Sequence, residues 1–96
     1  MSHITVLHEG RFFFVQADGV TLGHACKLLA FEGESTWRAL VRMIFRPLWR
    51  ASAGTGDGFV HLEEVYGSVF RNRNEAIGAI LAFHGMNDSR YPAPSK

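Results

Sequence analysis

The sequence predicts a single small α+β domain. Its expected core is a mostly antiparallel sheet of four to five strands, with two helices packed on one face in the order βββαββα. Three observations carry this expectation. Short β-branched and aromatic runs fill the first part of the chain, two later segments repeat apolar residues at helical spacing, and Asp18-Gly19 marks a tight hairpin turn. A chain of 96 residues has room for one core.

Ile4-Thr5-Val6-Leu7-His8 reads as the first strand and Arg11 to Ala17 as the second. Asp and Gly both tolerate positive φ, so the segment from Val20 is expected to pair back on the second strand. Residues 20–31 admit two readings. A strand aligns Val20, Leu22, Cys26, Leu28 and Ala30, whereas a helix aligns Leu22, Ala25, Cys26 and Leu29. The hairpin turn favours the strand.

The clearest helix follows. Trp37, Leu40, Val41, Ile44, Phe45 and Leu48 trace one stripe, with Ser35 placed to cap it. Pro47 should end or kink this helix near Arg46, leaving the last turn to Arg50 open. Residues 51–58 read as a Gly-rich connection. Phe59 to Phe70 reads as extended, either one bulged strand or a hairpin bent near Tyr66-Gly67. A last helix starts at Asn72, which forms a capping box with Glu75. Its stripe is Ile77, Ile80 and Leu81, with Ala76 and Phe83 alongside, and Gly85 suits its end. The domain is expected to span residues 1–85, with 86–96 a loose, proline-containing tail.

Composition narrows the function classes. The net charge of +1 names no partner, but residues 36–50 hold four Arg and no acid. The lone Cys26 permits no internal disulfide. No apolar run is long enough for a membrane span, and Met1 to Val6 lacks the pattern of a signal peptide, so cytoplasmic residence is expected.

The first candidate site is the ladder Arg38, Arg42, Arg46 and Arg50. Spacing of four places these residues on one slowly turning helical stripe, with Met43 beside Arg46 and Arg50. No acid lies within that helix, so the stripe suits an acidic protein surface or phosphates. Internal pairing with Glu32, Glu34, Glu63 or Glu64, or simple solvation, is the plainer alternative. The second candidate is Phe12-Phe13-Phe14. In a strand, Phe12 and Phe14 face one way while Phe13 and Val15 face the other, so both faces are apolar. One of them then needs a partner, for instance a second copy in a homodimer, unless residues 20–31 form a covering helix.

Other motifs carry less. Gly54-Thr55-Gly56-Asp57-Gly58 lacks the Lys and the following helix of a phosphate loop. His24-Ala25-Cys26 offers two ligand types, but no Cys-x-x-Cys or spaced His pair completes a metal site. Glu63 and Glu64 would point to opposite faces of a strand, which rules out a carboxylate couple. No catalytic residue, metal ligand or cofactor follows from these patterns. In length and texture the chain is similar to many small phage and mobile-element proteins, a resemblance that assigns no residue a role. The sequence therefore favours a non-enzymatic interaction or regulatory protein that engages an acidic protein through the Arg-lined helix. A nucleic-acid binder using the same arginines comes next, and a small enzyme or ligand-binding domain third. Two Lys in the whole chain favour the protein partner over nucleic acid.

Overall fold

The computed structural model describes residues 3–28, 33–55, 57–86 and 88–94. Five strands pair antiparallel in chain order: β1 (Ile4–Glu9), β2 (Phe12–Ala17), β3 (Val20–Lys27), β4 (Trp49–Thr55) and β5 (Gly58–His61). Three helices accompany them: α1 (Thr36–Phe45) between β3 and β4, then α2 (Leu62–Tyr66) and α3 (Arg73–Phe83) after the sheet. This is the α+β domain and the order of elements that the sequence predicts, with one short helix added.

The Asp-Gly signal does what its chemistry requires. Asp18 and Gly19 take φ of 52° and 85°, and β3 returns along β2 as a strand. Leu28 stays buried beyond the end of that strand; Leu29, Ala30 and Glu32 lie outside the described residues. Pairing shifts register after Val15, which faces Gly23, while Gln16 faces Thr21. Leu22 is thus the extra residue of a bulge. Its carbonyl accepts a hydrogen bond of 2.9 Å from Nε2–H of His84, just past α3.

α3 packs on β3 and β4. Val15, Ala25, Ala51 and Ala53 line the covered sheet face, and small residues there let the helix come close. Gly23 is the limiting case: a Cβ would collide with the Ser52 carbonyl oxygen and press on Ile80. Ala76 to Leu81 are all buried, so the middle of α3 is apolar on every side and enclosed. On its far side, a Cβ at Gly78 would meet the carbonyl oxygens of Tyr91 and Pro92. Residues 88–94, read from the sequence as part of a loose tail, thus lie across α3, with Tyr91 and Met86 packed on the core. Asn72 caps the helix by accepting from the Glu75 N–H at 2.8 Å. At the other end Gly85 N–H donates to Ala82 O and Met86 N–H to Leu81 O, a Schellman closure around the positive φ of Gly85.

Two expectations need correction. Residues 51–55, read as part of a connection, form with Trp49 and Arg50 an inner strand, β4. Ala, Ser and Gly are poor strand formers alone, and this segment is extended because it lies between β3 and β5 beneath α3. Phe59 to Phe70 is not extended throughout. After β5 the chain turns into α2, which buries Leu62 completely and ends at Gly67 with φ 78°. Period-two reading failed there because Leu62 and Tyr66, four apart, share the inward side of a helical turn.

Candidate functional site

α1 starts as its cap predicts, with Ser35 Oγ accepting from the Arg38 N–H at 3.2 Å. It stops at Phe45, before Pro47, with Arg46 as the C-cap. The four arginines therefore divide. Arg38 and Arg46 are exposed. Arg42 turns back on Glu34, donating from Nε at 3.2 Å and Nη2 at 2.9 Å, with both side chains largely buried. Those hydrogen bonds, opposed by desolvation and reinforced by the carboxylate charge, hold the guanidinium pKa above its ordinary value. Arg50 lies on β4 and donates to Glu63 Oε1 at 2.9 and 2.8 Å. The internal pairings with Glu34 and Glu63 thus form, and the outward stripe keeps two cations.

The apolar side of α1 points outward. Trp37 is 73 % exposed, Leu40 49 %, Ile44 66 % and Phe45 76 %. The half-buried and buried positions are instead Ala39, Val41, Arg42 and Met43, of which Ala39, Arg42 and Met43 are spaced three and four apart on the opposite flank. Trp37, Arg38, Val41, Arg42, Phe45 and Arg46 border a shallow groove of about 430 Å³ on the helix itself.

A second apolar surface lies on the sheet face away from α3. Phe12 and Phe14 emerge there as strand alternation predicts, while Phe13 faces the other way, edge-on to Trp49 at 5.5 Å. His24 sits among Phe12, Phe14 and Phe59, with ring centroids 5.5, 5.9 and 5.2 Å away. Burial, followed by the positive charge of His61, lowers the His24 pKa. Phe59 is 61 % exposed and Leu7 of β1 joins this open side.

At the end of that face, Ser52 Oγ lies 3.3 Å from His61 Nδ1 and Glu63 Oε1 lies 3.8 Å from the same nitrogen. A relay would use both ring nitrogens, one toward the nucleophile and one toward the carboxylate. Here both neighbours share Nδ1, and Glu63 is committed to Arg50. Among the described residues no three of His, Cys, Asp or Glu converge as metal ligands. Among the same residues, no helix is long and apolar enough to cross a membrane.

A third concavity was not visible in the sequence. His8, Gly10, Arg11, Phe13, Lys27, Met43, Trp49 and Arg73 line a groove of about 590 Å³ where the β1–β2 turn, the end of β3, α1 and the start of α3 meet. Its residues come from five separate stretches of chain, and no local spacing could have grouped them. No family model, no curated protein and no solved structure matches this chain. Any functional reading therefore rests on the chemistry of these surfaces.

Proposed function

We propose that this protein is a small non-enzymatic interaction or regulatory protein that engages an acidic protein partner through α1. The observation that carries the reading is the outward apolar side of α1, Trp37, Leu40, Ile44 and Phe45, flanked by the exposed cations Arg38 and Arg46. Contiguous exposed apolar surface of this kind marks an interaction site. Burying each such side chain contributes roughly 1.5–3 kcal/mol, and an amphipathic helix of this pattern suits a groove. With no acid in α1, the complementary rim is acidic, which adds association rate and specificity. Cytoplasmic residence belongs to the same proposal.

The test compares partner capture by the wild-type chain and two variants. Arg38→Glu/Arg46→Glu reverses the rim, and Trp37→Ser/Phe45→Ser removes the apolar anchors. All four side chains are exposed, so the fold should survive. Both variants are expected to lose the same acidic partner, while Arg11→Glu keeps it. Undiminished capture by either α1 variant would overturn the reading. Capture of nuclease-sensitive material whose affinity falls steeply with salt would favour nucleic acid instead.

A second reading concerns self-association. The open sheet face places Phe12, Phe14, His24 and Phe59 in one ring cluster on the side away from α3, and β1 is an edge strand of the sheet. We propose a symmetric dimer through this face. Light scattering over a dilution series reads it directly: a mass of 10.7 kDa, one chain, at every concentration would refute the dimer.

A further inference from the structure

We propose that the groove between the β1–β2 turn and the start of α3 binds a small organic anion, a carboxylate or phosphate carried on an aromatic or aliphatic body. The walls divide into two chemistries. Phe13, Trp49 and Met43 supply apolar surface, Lys27 and Arg73 supply cations, Arg11 borders them, and no carboxylate is in the lining. A volume of about 590 Å³ lies within the range of small-molecule sites, roughly 300–1,000 Å³.

The cations are the telling feature. Elsewhere Arg42, Arg50 and Arg90 each close on a carboxylate of their own chain, at 2.8 to 2.9 Å. Among the described residues Arg11, Lys27 and Arg73 have no such ion pair. Two rest on rings of the groove: Arg73 Cζ lies 5.1 Å from the Phe13 centroid and Lys27 Nζ 6.0 Å from that of Trp49, whereas Arg11 borders the groove with its Cζ 5.6 Å from the centroid of Phe12, on the other sheet face. A cation that rests on a ring and closes on no carboxylate keeps N–H donors for an anion. Arg73 is also the first residue of α3, where the helix dipole disfavours a cation. An anion bound beside its side chain would offset that conflict. The site stands apart from the outward side of α1, since only Met43 of that helix reaches it.

Trp49 is a built-in reporter. The chain has two tryptophans, so a Trp37→Phe background isolates Trp49 emission. Phenyl phosphate is the probe, with inorganic phosphate and benzyl alcohol supplying its two halves separately. The expected result is a saturable change with Kd below about 1 mM for phenyl phosphate, and at least tenfold weaker binding of either half alone. Lys27→Gln/Arg73→Gln should weaken binding at least about tenfold, and Lys27→Arg should retain it. Both residues are exposed, and an unchanged circular dichroism spectrum checks the fold. Arg38→Glu/Arg46→Glu should bind the probe normally, so failure here and failure of the α1 reading are separable. No saturable change with phenyl phosphate would overturn the proposal. So would equal binding of benzyl alcohol, or full binding by the folded double-Gln variant.

Discussion

α1 and α3 are helices of nearly equal length, 10 and 11 residues, with opposite fates. α1 is sharply two-sided, yet it turns Ala39, Arg42 and Met43 inward and leaves Trp37, Ile44 and Phe45 in solvent. α3 has no such polarity and is enclosed by the sheet on one side and by Tyr91 and Pro92 on the other. An apolar stripe states that a covering surface is needed. It does not state that the same chain supplies that surface. The two faces of the sheet repeat the contrast: one lies under α3, and the other carries Phe12, Phe14 and Phe59, with Phe59 61 % exposed.

The largest expected effect separates the helices directly. Ile80→Ala, in the fully buried stripe of α3, should lower unfolding free energy by about 2–5 kcal/mol. Ile44→Ala on α1 should stay within about 0.5 kcal/mol. Urea denaturation reads both, and equal losses would mean that the outward side of α1 is covered in solution. Gly78→Ala tests the far wall of α3. Helix propensity alone would stabilise it by about 1 kcal/mol. The carbonyls of Tyr91 and Pro92 stand where the methyl would go, so a net loss of about 1–3 kcal/mol is expected. A stabilised variant would show that the crossing segment yields easily.

The caps give a finer comparison. Asn72→Ala and Ser35→Ala each remove one side-chain bond to a helix N-terminus. The first should cost about 1 kcal/mol globally. The second should speed amide exchange within α1 while leaving the global midpoint nearly unmoved, because α1 buries only Ala39 and its opening exposes little core. The smallest effect concerns the open sheet face. His24 has a folded-state pKa below its ordinary 6.5, through burial and then the charge of His61. The unfolded chain therefore takes up this proton first, and stability should fall as pH drops below about 6.5. His24→Gln should flatten that part of the pH profile, and an unchanged slope would assign it to other groups. If the face self-associates, protonating His24 among the phenyl rings should also favour the single chain.

Local chemistry decided much of this architecture. Asp18-Gly19 set the β2–β3 hairpin, Ser35 and Asn72 set two helix starts, and Pro47 and Gly85 set two ends, because each acts through atoms within a few residues of its own backbone. The alternation of Phe12, Phe13 and Phe14 likewise followed from strand geometry alone. Tertiary structure decided the rest. Trp49–Thr55 is a strand because α3 and two neighbouring strands hold it, and its own Ala, Ser and Gly express no such preference. Four arginines at helical spacing became two outward cations because Glu34 and Glu63 captured Arg42 and Arg50, and neither pairing could be chosen from sequence among four candidate acids. The cation-lined groove depends on Lys27 and Arg73 meeting around Phe13 and Trp49. Such convergence is a property of long-range pairing, which no periodicity along the chain encodes.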